Sequence, residues 1–301
     1  MIFYLCTRSI KQPGQLPFNP INNMNTKEFN WTTPDGIIIQ GYHWDTFHAK
    51  AVIALVHGLG EHAGRYSRFA RYFSTHGFAT IGYDRRGHGR SGGKRGHAPS
   101  YEAYQEEINY LLTYVREQYP TVPVFLYGHS MGGNLVLYNA LQYHPQVRGV
   151  VASAPWIELS ERPPLAKVIA GRIASRIFPS LTLPNGLDPR HLSRDTTEVE
   201  AYLHDPLVHD MISAATGTAM LDAGKWLSEY KGKTSVPVLL IHGTADKLTS
   251  AEASQAFAGQ VKGDITFLGW EGAYHELHNE PNRKEILDAT REWLEDHLQG
   301  E

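Results

Sequence analysis

The sequence predicts an α/β fold, a mostly parallel, doubly wound sheet with a helical cap insertion. Three observations predict it. Short continuous apolar runs recur, as expected of strands covered on both faces. Helical stretches lie between these runs. The alternation lapses once, over residues 156–231, where Pro163, Pro164, Pro179, Pro184 and Pro189 cluster. A chain of 301 residues, 42% hydrophobic and 20% charged, has the composition of a globular protein with a sizeable core.

The elements follow in order. Residues 1–25 are expected to be a flexible tail, because 13–25 are rich in Pro and Asn and carry no period. Arg8 and Lys11 follow the apolar opening run instead of preceding a longer one, so no signal peptide is expected; Met24 is a candidate natural start. Residues 27–31 and 37–44 flank Thr33-Pro34-Asp35-Gly36, a strong turn signal, and predict a hairpin at the N-terminal edge of the sheet. Strands are expected at 51–56, 78–83, 122–127, 147–153, 236–241 and 265–268. Helices are expected at 67–76, 101–119, 131–143, 251–261 and 283–297. The core therefore comprises 26–155 and 232–301, with 156–231 as a cap (lid) over the sheet.

Composition also narrows function. Net charge is −3 with no run of like charge, which argues against a nucleic-acid partner. No apolar run reaches the ~18 residues that span a bilayer. The single cysteine, Cys6, cannot form an internal disulfide, which fits a cytoplasmic location. The 16 histidines show no HExxH or other ligand spacing, and no glycine-rich dinucleotide fingerprint follows the early strands. No metal and no other cofactor is expected.

The chemistry is carried by Gly128-His129-Ser130-Met131-Gly132, a G-x-S-x-G placed between an apolar strand and a helix. That context is what a nucleophile elbow needs, with Ser130 on a strained turn and glycines where side chains would clash. A serine needs a base, and the base an orienting acid. Asp246 follows the strand at 236–241, and His275 follows the strand at 265–268. Both thus lie at carboxyl ends of strands, where open α/β sheets place their sites. Glu271, Glu276 and Glu280 lie in the histidine loop and Asp222 in the cap, so they are weaker acid candidates. The expected oxyanion donors are the backbone N–H groups of Met131 and of Leu59, the latter in His57-Gly58-Leu59-Gly60-Glu61-His62.

With these motifs in place, the chain resembles the α/β-hydrolase fold, and within it the monoglyceride lipase family of lysophospholipase-like hydrolases. The matching segments are HGLGEHAGRY (57–66), YDRRGHGRSGG (83–93), GHSMGG (128–133), LSRDTTEVEAYLHDPL (192–207), HGTADKL (242–248) and EGAYHELHNE (271–280). The resemblance implies a serine esterase that releases fatty acid and glycerol from monoacylglycerols through an acyl-enzyme. It also implies that Glu61, Arg65, Tyr202 and His278 contact the glyceryl head; alternatively Glu61 and Arg65 pair and order the loop, Tyr202 packs, and His278 caps a turn. Two other readings stand beside it: a broader carboxylesterase or lysophospholipase, and a ligand-binding hydrolase relative without turnover.

In the cap, Leu165, Val168, Ile169, Ile173 and Ile177 recur at helical spacing, with Lys167, Arg172 and Arg176 interleaved. This stripe is expected to pack against the core. Its basic neighbours leave room for transient contact with a membrane surface, so a peripheral association is the alternative.

Overall fold

The apolar runs become strands because nothing polar interrupts them. In chain order the strands are β1 (Thr26–Thr32), β2 (Ile38–Trp44), β3 (Ala51–Val56), β4 (Phe78–Tyr83), β5 (Val124–His129), β6 (Gly149–Ser153), β7 (Thr182–Pro184), β8 (Met211–Ser213), β9 (Val238–Gly243) and β10 (Ile265–Trp270). The structure, a computed structural model, describes residues 26–298; the tail expected over 1–25, with Cys6 and Met24, lies outside the described residues.

Eight strands form one sheet in the order β1-β2-β4-β3-β5-β6-β9-β10. The hairpin joins antiparallel through β2 and β4, and all later neighbours pair in parallel. Every residue of β3, β4, β5, β6 and β9 is buried, as expected when both faces carry helices.

The helices are α1 (Ser67–Ser74), α2 (Tyr101–Gln118), α3 (Met131–Gln142), α4 (Leu165–Ile177), α5 (Thr196–Leu203), α6 (Ala214–Glu229), α7 (Ala251–Gln260) and α8 (Arg283–Asp296). One face of the sheet packs Ile108, Leu135, Met220 and Phe257 from α2, α3, α6 and α7. The other packs Phe69, Phe73, Ile286 and Trp293 from α1 and α8. Each such side chain contributes about 1.5–3 kcal/mol by leaving water. Helix starts are fixed by side-chain caps: Ser100 accepts from Ala103 N, Ser213 from Thr216 N and Ser250 from Ala253 N.

Between β6 and β9 the chain leaves the sheet. This segment holds α4, α5 and α6 and a two-stranded antiparallel ribbon, β7–β8. No strand is evident there in the sequence, because three residues are too short to leave a period. The segment is tied to the loops at the carboxyl ends of the strands: His209 N donates to Gly60 O (2.9 Å), Ser213 N to Gly96 O (2.9 Å) and Glu276 N to Leu192 O (2.7 Å).

One expectation is corrected here. The apolar stripe of α4 does not pack against the core: no residue of α4 is buried, and Leu165, Ile169, Ile173 and Ile177 are 50–72% exposed. The reason is geometric. The helix turns its small face, Gly171 and Ala174 with Val168, toward α6, and the large residues at i, i+4, i+8 and i+12 point away. Arg172 pairs with Asp222 on α6 (2.5 Å) across the same contact.

Candidate active site

Ser130 sits where β5 ends and α3 begins, with φ 55° and ψ −116°. A non-glycine residue there stores strain of order 1–3 kcal/mol, which the surroundings must overcome. They do so with three backbone bonds: Ser130 N donates to Ser153 O (2.9 Å), and Ser130 O accepts from Asn134 N and Trp156 N (both 3.0 Å). The turn also needs Gly132, since a Cβ there would come within 2.1 Å of Val56 O on β3.

Asp246 and His275 meet below this turn. His275 Nδ1 lies 2.7 Å from Asp246 Oδ2, with the carboxylate fully buried and the ring nearly so. Asp246 collects four further donors: Leu248 N (2.7 Å), Thr249 N (3.2 Å), Thr249 Oγ1 (3.0 Å) and His242 Nε2 (3.1 Å). Burial alone would raise the Asp246 carboxyl; the His275 charge and the bonds from both histidines outweigh it and hold it far below the usual carboxylate range. Burial opposes a charge on His275, but the Asp246 carboxylate prevails and raises its pKa above 6.5. The Nδ1–H···carboxylate bond leaves Nε2 as the basic nitrogen. Sequence reasoning missed His242 and Thr249. Their signal is local, as His242 precedes Asp246 by one helical turn's spacing and Thr249 follows it by three.

Ser130, His275 and Leu59 line one small cavity of about 70 Å³, with Trp156, Leu159, Asn185, Leu187, Ile212, Leu248 and Thr249. Among the described residues, no hydrogen bond joins Ser130 Oγ to His275; such bonds commonly tighten only with substrate in place. A larger apolar cavity of about 400 Å³ shares Trp156, Leu159 and Ile212 and runs between α4, α6 and the ribbon. The Gly58 backbone passes against the turn, since a Cβ on it would lie 3.3 Å from Ser130 Cβ. The next peptide N–H, that of Leu59, and the N–H of Met131 find no acceptor among the described residues. The arrangement can therefore present a hydroxyl, a base and two free donors to one carbonyl.

The four polar positions behave differently. None of Glu61, Arg65, Tyr202 and His278 lines the cavity of Ser130. Glu61 is buried and accepts from Gly58 N (2.5 Å), Tyr66 Oη (2.8 Å) and Arg65 Nη1 (3.0 Å). Arg65 forks onto Glu276 (2.6 and 2.8 Å) and lies over the Tyr202 ring at 4.8 Å. Burial opposes a charge on Glu276, yet the Arg65 fork holds its pKa well below the carboxylate range, while burial raises Glu61. His278 stacks on Tyr66 at 4.5 Å, and burial pushes its pKa down to about 3. Among the described residues neither of its ring nitrogens has a hydrogen-bond partner. Glu61, Arg65, Glu276 and Tyr202 thus form a paired layer against the Gly58 loop, the pairing of Glu61 with Arg65 that the sequence offered beside a glyceryl contact. The acid Glu276 belongs to that layer; Asp222 is on the cap surface, paired with Arg172.

Among the described residues no group of acids, histidines or cysteines could hold a metal ion, and no helix is long and apolar enough to cross a membrane.

Comparison with known proteins gives a consistent picture. The family described as Serine aminopeptidase, S33 (Hydrolase_4) matches residues 48–282. A monoacylglycerol lipase of Mycolicibacterium smegmatis is 32% identical, over 83% of this chain and 89% of its own length. The human monoglyceride lipase is 30% identical, over 90% of this chain and 88% of its own. An uncharacterized abhydrolase domain-containing protein of Dictyostelium discoideum is 35% identical, but the match spans 27% of that longer protein. Among solved structures, Paleococcus ferrophilus monoacylglycerol lipase superposes with a TM-score of 0.78 at 36% identity, covering 91% of this chain and 100% of that one.

Proposed function

The chain belongs to the Serine aminopeptidase, S33 family and, within it, to the monoglyceride lipases, carboxylic ester hydrolases of the α/β-hydrolase fold, and we propose that it releases fatty acid and glycerol from monoacylglycerols. The observation that carries this reading is the adjacency of two cavities, the small one at Ser130 and an apolar one beside α4 that suits an acyl chain, which have Trp156, Leu159 and Ile212 as common walls. The names of the relatives support the same substrate.

In the proposed reaction Ser130 Oγ attacks the ester carbonyl carbon as its proton passes to His275 Nε2. The N–H groups of Leu59 and Met131 hold the tetrahedral oxyanion. Asp246 keeps His275 in the Nδ1–H tautomer and stabilises the imidazolium. The imidazolium then protonates the leaving glycerol oxygen, giving the acyl-enzyme, and water repeats the cycle to free the fatty acid. The exposed stripe of α4, with Lys167 and Arg176 alongside, supports transient contact of the cap with a membrane surface.

A second reading, a broader carboxylesterase or lysophospholipase, is favoured by one observation. Glu61, Arg65, Tyr202 and His278 are not among the residues that line the small cavity at Ser130. Steady-state turnover separates the two. Monoacylglycerols should exceed methyl esters and lysophosphatidylcholine of the same acyl chain in kcat/KM, and Ser130→Ala should lower kcat by at least about a thousandfold. Equal rates on methyl esters would remove the monoacylglycerol assignment, and an active Ser130→Ala would remove the nucleophile.

A further inference from the structure

We propose that Arg85 is a positioning residue that holds the Leu59 oxyanion donor, an inference that rests on ester hydrolysis through Ser130. Arg85 follows β4 in a polar loop, Asp84-Arg85-Arg86, where a solvated arginine would be ordinary. Instead it is fully buried, among the largest such side chains in the described residues. Its neighbour Arg86 is paired with Glu107 and Asp35. Arg85 has no carboxylate partner among the described residues. A buried cation without a counter-ion is expensive, and only good hydrogen-bonding ligands reduce the penalty.

Those ligands are the residues of the oxyanion site. Arg85 Nη2 donates to Gly58 O (2.5 Å), and Nη1 lies 3.1 Å from Met131 Sδ. The guanidinium stands over the Tyr104 ring at 5.4 Å. Gly58 O and the Leu59 N–H belong to one peptide unit, and a trans peptide points the two in opposite directions. Fixing the carbonyl on the guanidinium therefore turns the Leu59 N–H the other way, toward the cavity that Leu59 and Ser130 line. The same guanidinium also packs on the Met131 side chain at Sδ.

His57 completes the clamp. Its Nε2 accepts from Arg85 N (2.9 Å), so its proton is on Nδ1, which donates to Gly58 O (2.8 Å). Both lone pairs of the Gly58 carbonyl are thus occupied. A carbonyl polarised in this way makes the N–H of its own peptide a stronger donor. The positive charge behind the peptide acts in the same direction in a dry interior.

The test compares an ester with its thionoester, in which sulfur replaces the carbonyl oxygen. Sulfur accepts hydrogen bonds poorly, so the ratio of the two rates reports on donors at the oxyanion. In Arg85→Met the ester-to-thionoester ratio of kcat should fall at least about tenfold. The fall should come from the ester rate, with KM within about threefold. Arg85→Lys keeps the charge but cannot reach Gly58 O and Met131 Sδ together, and should give an intermediate ratio. If Arg85→Met does not fold, Arg85→Lys carries the test alone. Ester and thionoester rates falling in proportion, or not at all, would overturn the assignment. A wild-type protein that cleaves no ester would instead overturn the hydrolase reading on which it rests.

Discussion

Beneath Ser130, polar groups are buried; above it, apolar groups are exposed. The loops after β3, β4 and β10 bury Glu61, Arg85 and Glu276, and each has ligands at hydrogen-bonding distance. Helix α4 in the cap buries nothing and shows solvent four large aliphatics. The contrast separates two tasks. A bed of buried, hydrogen-bonded charges has one low-energy arrangement, because removing a ligand strands a charge in low dielectric. Helix α4 rests on α6 through its small face and leaves its large aliphatics to solvent, where they can meet what approaches. The bed should therefore govern the rate of the chemical step, and the roof should govern access.

The sharpest way to break this comparison is in the bed. Asp246→Asn should lower kcat by about 10³–10⁴-fold, because an amide no longer fixes the His275 tautomer. The pH profile gives the sign. In the proposed mechanism His275 must be neutral to accept the serine proton, and Asp246 raises its pKa above the usual imidazole value. The acid limb of kcat/KM in the wild type should therefore lie above pH 6.5 and move to lower pH in the variant. A fall under tenfold would place the acid elsewhere.

Next in size is Arg65→Met, which strands Glu276 and Glu61 together. Urea unfolding should show a loss of about 3–5 kcal/mol. An effect below about 1 kcal/mol would mean that the layer behind Gly58 is not the rigid element described here.

The smallest effect is expected in the roof. Ile169→Ser with Ile173→Ser removes half of the exposed stripe. Unfolding stability should change by less than about 0.5 kcal/mol, as for other exposed positions. Sedimentation with anionic vesicles should fall several-fold, while turnover of a dispersed short-chain ester stays near wild type. Loss of that turnover would mean that the stripe supports the site itself.

How much of this was legible follows the same division. The sheet could be read because doubly covered strands are continuous apolar runs, and the elbow because its glycines leave a fixed spacing. The order of Asp246 and His275 after their strands pointed to a pair that the structure brings to 2.7 Å. The pairing of Glu61 and Arg65 with Glu276 was less legible, since a sequence gives residue types but not which layer of a loop they occupy. Arg85 was hidden for a related reason: in a run of arginines, glycines and a histidine, burial of one cation leaves no pattern. The outward face of α4 was ambiguous because periodicity identifies a stripe without saying which way it turns.

The cavity at Ser130 has a thermodynamic corollary. At about 70 Å³ it is well below the roughly 300–1,000 Å³ of small-molecule sites. A substrate group larger than this volume would need the cavity to widen, and binding would then depend on the fraction of conformers already open. Apparent affinity is the intrinsic affinity scaled by that fraction. A substitution that loosens the seams at Gly60, Gly96 or Leu192 would then tighten observed binding without adding a single contact to the substrate.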